Sequence, residues 1–279
     1  MKRYRVHVFD FDSRPYFLSL EIKDEWEEKV KKSHLENREK LLNDLKLQFG
    51  NGAFKQKKEN FIALESMPVS LIAFHNKFLH QIRDSFVVGG YYPALTAACV
   101  LGERILNRLI LSLRDDYSTT PGYKKVYDKD SFDDWNVAIN VLIEWNVLQP
   151  DAADGFRNLM IVRNQAIHFK PDVDKNDREL ALKSIKLLHK VIEKQFSSFG
   201  PMPWYITKIP GECYIKKDWE ANPFVKKICI PNCIYVGPKH KIGVENNQFI
   251  AYDVDTYEDK KISDEEFIEL RNKFKSKQV

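Results

Sequence analysis

The sequence feature that limits the fold most strongly is residues 92–113, a long helical pattern that is apolar on most of its sides. A helix with apolar residues nearly all round is normally buried among other elements. We therefore expect this helix to lie at the centre of its domain. Its apolar positions are Leu95, Ala98, Cys99, Leu101, Ile105, Leu106, Leu109, Ile110 and Leu113.

The segments around this helix also show helical periodicity. A charged helix is predicted over 25–49, with Asp24 as its capping candidate and Gly50 after its end. Further helices are predicted from Pro68 to 88, from Ser131 to 143, from Pro150 to about 170, from Asn176 to 199, and from Asp264 to Lys275.

The two ends of the chain predict β-structure. Alternating residues over 3–11 and 16–22, separated by turn-forming residues 12–15, predict an N-terminal hairpin. Six prolines between 201 and 238 exclude long helices there. Short strands are predicted around 204–209, 226–236 and 248–254.

The predicted fold class is mainly α with flanking β (α+β). We divide the chain into 1–60, the hairpin plus a long charged helix; 61–200, the helical domain; and 201–279, a small β-rich C-terminal region.

No window approaches the roughly 18 uncharged apolar residues of a membrane span. The first residues lack an apolar signal core, so we expect a cytoplasmic protein.

The charge of the chain limits how it could bind nucleic acid. The net charge is +4, and residues 61–200 carry 17 basic and 17 acidic residues, so composition shows no basic stripe for binding long duplexes. Any contact with nucleic acid must therefore be local, or be built by pairing two chains. No cofactor is predicted.

The four cysteines allow two interpretations. Cys99 is predicted to be a small buried apolar residue. A zinc site could use Cys213, Cys229, Cys233 and His240. The wide spacing of Cys229 and Cys233 and the strand-like alternation around them favour buried thiols instead.

The segment with the clearest chemical content is Arg163-Asn164, three residues, then His168, near the end of a predicted helix. With 12 Arg and 7 His among 279 residues, an Arg five places before a His arises about 0.3 times by chance. Requiring Asn directly after the Arg makes the pattern about tenfold rarer or more.

These residue types suit the cleavage of RNA by its own ribose 2′-OH. Histidine titrates near neutrality, so it can act as base for that hydroxyl or as acid for the leaving 5′-oxygen. Arginine stays charged and binds phosphate oxygens with a planar fork. The chemistry requires no metal. Two chains facing each other would supply two histidines and two arginines, so we expect a homodimer.

Helix geometry adds two expectations. Asn164 and His168, four residues apart, share a helix face, whereas Arg163 and His168 lie about 140° apart. Glu103 lies within the apolar helix, where an unpaired carboxylate is costly. It either pairs with Arg163 and orients it, or pairs with Arg104, Arg108 or Asn107 along an exposed stripe.

With these residues in view, the chain resembles the HEPN superfamily, whose nuclease members carry Arg, four to six residues and then His. Residues 89–95 leading into 102–104 resemble the second core helix of that family, and 142–148 followed by the Arg163 helix resemble its third and fourth. The likeness covers about 68–198 and leaves both ends unplaced. It implies an antiparallel helical bundle.

The resemblance implies a metal-independent endoribonuclease with a composite active site at a homodimer interface, formed by Arg163, Asn164 and His168 with Glu103 behind Arg163. It also implies an effector of anti-phage defence or a toxin, controlled by a regulatory nucleotide, an antitoxin or a phage-derived trigger. Members silenced by a nucleotidyltransferase carry Tyr two residues after the His, where this chain has Lys170. The alternative is a catalytically inactive HEPN module that binds nucleotide or RNA and dimerises.

Overall fold

The protein is described by a computed structural model that covers residues 10–70, 73–167, 176–196, 205–209, 212–229, 231, 241–245, 248–252 and 262–275. The helices are α1 Arg14–Ser19, α2 Glu28–Phe49, α3 Phe54–Ala63, α4 Ala73–Val87, α5 Tyr91–Leu113, α6 Trp135–Glu144, α7 Pro150–Ile167, α8 Asp177–Phe196 and α9 Asp264–Lys275. The strands are β1 Asp10–Asp12, β2 Met67–Ser70, β3 Tyr205–Ile209, β4 Glu212–Ile215, β5 Lys241–Glu245 and β6 Gln248–Tyr252. The mainly helical class is therefore confirmed.

The helix α5 lies at the centre of the bundle, as its apolar pattern predicts. It contacts α4, α6, α7 and α8. Gly102 lets α5 approach its neighbours closely, because a Cβ at this position would stand 2.7 Å from Leu159 and 2.8 Å from Trp135. Across the part of the chain that the structure describes, every helix is too short or too polar to span a bilayer.

The described strands form three two-stranded antiparallel sheets, in which β1 pairs with β2, β3 with β4 and β5 with β6. Near the C-terminus, α9 packs on the β3–β4 sheet through a small cluster of Tyr214, Ile262 and Phe267. An ion pair of 2.6 Å between Lys227 and Asp116 joins this region to the segment that follows α5. The predicted division of the chain at residues 60 and 200 stays a prediction.

The predicted N-terminal hairpin is wrong for residues 16–22, because residues 14–19 form the helix α1. Pro15 stands in its first turn and the Asp12 carboxylate accepts the backbone N–H of Arg14, so the chain turns into a helix there. The strand β1 pairs instead with β2, which contains Pro68. The helix predicted from Pro68 therefore begins only at Ala73. Residues 1–9 lie outside the described residues.

Three further expectations are corrected. The helix α6 begins at Trp135 rather than Ser131, because the Asp134 side chain caps it by accepting the N–H groups of Asn136 and Val137. No side-chain cap comes from Asp24, since α2 begins after Glu27. Residues 225–229 form a π-helical turn that Asn222 helps to begin, not a strand. The sequence patterns had not predicted α3.

The sequence predicts polar helix surfaces for His75 and His189, but both side chains are buried. His75 on α4 and His189 on α8 expose only 2% and 8% of their surface. Burial lowers the pKa of His75 to about 3, and the charges of Arg108 and Arg104 add to this shift. Burial also lowers the pKa of His189, with Arg83 and Lys186 contributing. Arg83 is itself buried, and its Nη1 lies 3.2 Å from His189 Nε2.

We expect the folded protein to lose stability in mild acid through these two histidines. An unfolded histidine titrates near pH 6.5, so below that pH the unfolded chain binds protons that the folded chain does not. Each histidine then lowers the unfolding free energy by about 1.4 kcal/mol for every unit by which the pH falls. The loss continues until the pH reaches the pKa of that histidine in the folded state. Urea unfolding across the acid range would measure the slope.

The substitution that tests this slope is His189→Gln, which keeps an acceptor for Arg83 but removes the proton-binding group. It should flatten the dependence of unfolding free energy on pH by about 1.4 kcal/mol per pH unit. His34→Gln on α2 is the matched control, because His34 is only half-buried. An unchanged slope in His189→Gln would contradict the explanation.

Candidate active site

The structure brings Glu103 of α5 and Arg163 of α7 into contact, one of the two arrangements that the sequence allows. Arg163 Nη2 lies 3.2 Å from Glu103 Oε2, and the two side chains expose 24% and 33% of their surface. This ion pair joins the two helices at the point where Gly102 lets α5 approach closely. Glu103 therefore has a partner that holds the guanidinium in a defined position.

A third residue, Trp135 at the start of α6, completes this contact. Its indole N–H donates to Glu103 Oε2 over 3.1 Å, and its ring lies 5.9 Å from the Arg163 guanidinium carbon. The Glu103 carboxylate thus accepts from both a guanidinium and an indole, which restricts its rotation. Trp135 is 1% exposed, so it forms a rigid floor beneath Arg163.

Arg163 keeps donors for a ligand. Its Nη1 donates a long hydrogen bond of 3.4 Å to Asn164 Oδ1, and its Nη2 contacts Glu103. A guanidinium has five N–H donors in a planar fork, so these two contacts leave donors for phosphate oxygens. Asn164 is exposed beside it. Such an arrangement can bind an anion, because the guanidinium is held from behind and still has donors to spare.

The remaining predicted site residue, His168, lies outside the described residues, which end on this helix at Ile167. Its placement relative to Arg163 and Asn164 stays a prediction.

Cys99, on the α5 turn before Glu103, is confirmed as a buried apolar residue, and burial raises the pKa of its thiol to about 12. It is therefore a poor nucleophile.

The zinc hypothesis stays untested. Cys229 is buried at the end of the π-helical turn, whereas Cys233, His240 and the side chain of Cys213 lie outside the described residues. Among the side chains that are described, no group of three or more His, Cys, Asp or Glu could hold a metal ion.

An open groove runs along α5 beside the Glu103–Arg163 pair, with a volume of about 600 Å³. We call it the α5 groove and define it by Phe78, Glu103, Arg104, Arg108, Leu111 and Asp130. Glu103 is shared between the groove and the ion pair, whereas Arg163 itself is not one of the residues that line the groove. Sequence reasoning did not predict it, although Arg104 and Arg108 are four apart on one helix.

Comparisons of the chain with protein-family models, with curated proteins and with solved structures gave no match. The HEPN resemblance therefore rests on the motif residues and stays a hypothesis.

Proposed function

We propose that this chain is a metal-independent endoribonuclease of the HEPN type, with an active site built where two copies of the chain meet. The observation that supports it is the geometry of Arg163, which is partly exposed, anchored by Glu103 and backed by Trp135. An arginine fixed in this way can stabilise the charge that develops on a phosphorane. The setting we propose is an anti-phage or toxin system in the cytoplasm.

In the proposed mechanism, His168 removes the proton of the ribose 2′-OH, whose oxygen then attacks the adjacent phosphorus. The bond from phosphorus to the 5′-oxygen breaks, and the partner's His168 donates a proton to that oxygen. Arg163 binds the phosphate oxygens throughout. Asn164, four residues before His168, orients its imidazole or binds phosphate. The products are a 2′,3′-cyclic phosphate and a free 5′-OH.

The direct test incubates the purified full chain with RNA in excess chelator and identifies the new ends. We expect 2′,3′-cyclic phosphate ends, loss of cleavage in His168→Ala, and full cleavage in the control His34→Ala. Cleavage at the parent rate by both His168→Ala and Arg163→Ala would show that the site assignment is wrong. Tight RNA binding without turnover across several RNA preparations would indicate a binding module instead.

The exposed face of α7 offers a test of the dimer. Ile161 exposes 52% of its surface and lies three residues before Asn164, so the two share one face. In a symmetric dimer across this face, Ile161→Asp would bring two carboxylates into an apolar contact. We expect the dimer dissociation constant to rise about 100-fold and cleavage to fall with dimer occupancy.

Analytical ultracentrifugation of both variants and the parent would measure this effect. Leu47→Asp is the matched control, because Leu47 is 86% exposed on α2. The control should keep the parent mass and activity. An Ile161→Asp protein that remains dimeric would place the interface elsewhere.

A further inference from the structure

We propose that the α5 groove binds a single strand of RNA and leads it to Arg163. The inference deepens the proposed function, on which it rests for the identity of the strand as substrate. The α5 groove and Arg163 are linked by Glu103, which lines the groove and pairs with Arg163. A strand lying in the groove would therefore have a phosphate within reach of the candidate active site.

The groove presents two cations on one face of α5. Arg104 and Arg108 are both exposed, and residues four apart on a helix stand about 6 Å apart along its axis. Two guanidinium groups in this relation suit neighbouring phosphates of one nucleotide chain. Of the two acidic residues in the groove, Glu103 is engaged by Arg163 and the Trp135 indole, which leaves Asp130 on the opposite rim.

The groove also offers surfaces for unstacked bases. The Arg104 guanidinium carbon lies over the Phe78 ring, 5.1 Å from its centre, and Phe78 is still 37% exposed. Leu111, also 37% exposed, continues the apolar surface about two turns beyond Arg104 along α5. Bases of single-stranded RNA stack on aromatic rings and on guanidinium planes, whereas those of a duplex are already stacked inside it.

The loop that forms the far wall is held in place. Asn107 accepts the backbone N–H of Phe132 over 2.6 Å and donates to its carbonyl over 3.0 Å. This pairing fixes Asp130 and Ser131 beside the groove, where a carboxylate and a hydroxyl can meet base amino groups and ribose hydroxyls. The volume of about 600 Å³ is large enough for the unstacked bases of one strand.

The test measures binding of a fluorescent single-stranded oligoribonucleotide to the full chain carrying His168→Ala, which prevents cleavage. Adding Arg104→Gln and Arg108→Gln should raise Kd about 10-fold or more. If both arginines contact phosphate, the slope of log Kd against log salt should fall by about 1.4. Adding Phe78→Leu instead should raise Kd about 5-fold or more with the salt slope unchanged.

The matched control is Lys29→Gln with Lys32→Gln, which removes two exposed positive charges from α2. It should leave Kd and the salt slope close to those of the parent. Equal binding by the Arg104 and Arg108 double variant and this control would overturn the inference. Equally tight, groove-dependent binding of a blunt RNA duplex would also overturn the assignment to a single strand.

Failure of the groove and failure of the proposed function give different results. If RNA binding depends on the groove but no RNA is ever cut, the groove inference stands and the chain is a binding module. If cleavage requires Arg163 and His168 but the groove variants bind and cut like the parent, the nuclease proposal stands and the groove inference is wrong. In an active protein, the arginine double variant should raise KM more than it lowers kcat.

Discussion

Arg163→Ala is expected to lower kcat/KM for RNA cleavage by about 100- to 1,000-fold, the usual cost of removing a donor that stabilises transition-state charge. The guanidinium is held by Glu103 and Trp135 but remains partly exposed, so its loss removes a preorganised group without opening the core. Arg163→Lys keeps the charge but loses the planar fork and should recover only part of the rate. Single-turnover kinetics would measure both.

Glu103 is a positioning residue in this scheme, because it contacts Arg163 and not the RNA phosphate. Glu103→Gln should lower kcat about 10-fold in the parent and have little further effect in Arg163→Ala, since residues that act as a unit are not additive. Glu144→Gln is a useful comparison, because Glu144 does not contact this pair. Its carboxylate accepts the backbone N–H of Gly122 in a hydrogen bond of 2.7 Å. Full additivity of Glu103→Gln and Arg163→Ala would show that Glu103 acts on its own.

Asn60→Leu is expected to cost about 2–4 kcal/mol of unfolding free energy. Asn60 on α3 is completely buried, and its amide donates to the carbonyl of Val87 over 3.3 Å. The same side chain accepts from Arg178 Nε over 3.0 Å. Leucine has a similar volume but leaves that carbonyl and the Nε–H of Arg178 without this partner in the interior.

Urea unfolding of Asn60→Leu and of the matched control Asn140→Leu would measure this cost. Asn140 is exposed on α6, so the control should change the unfolding free energy by less than about 0.5 kcal/mol. A similar stability for both variants would show that the Asn60 network contributes little. Asn60 links α3 with the end of α4 and with α8, so its loss should also make unfolding of α3 easier.

The helical part of the fold could be predicted where its signals were local. Apolar periodicity and Gly89-Gly90 placed α5 within one residue of its observed start. Pro150 marked the start of α7, and the pattern after 263 gave the bounds of α9. The starts and ends of these helices depend on neighbouring residues only, which is why they can be predicted from the sequence.

The errors arose where distant segments decide the outcome. The partner of β1 is β2, nearly 60 residues further along the chain, and no local pattern specifies that pairing. Residues 14–19 are too few to distinguish alternation from helical periodicity. The burial of His75 and His189 depends on which helix face meets a neighbour, since polar or charged residues follow each of them directly in the sequence.

The candidate site was predicted only in part. A carboxylate inside an apolar helix requires a partner, which offered Arg163 as one of two alternatives for Glu103, and the structure contains that contact. The part played by Trp135 could not be predicted, because its hydrogen bond to Glu103 has no sequence signal. The α5 groove arises from the approach of α4 and a loop to α5, so it requires the tertiary structure.

Under the proposed function, Gly102 makes the distance between two helices part of the chemistry. Because α5 approaches Trp135 and Leu159 so closely there, the neighbouring Glu103 reaches Arg163 without help from a loop. An added methyl group at residue 102 would push these elements apart and lengthen the contact between Glu103 and Arg163. Under the proposed function, Gly102→Ala is therefore expected to slow cleavage even at temperatures where the protein stays folded.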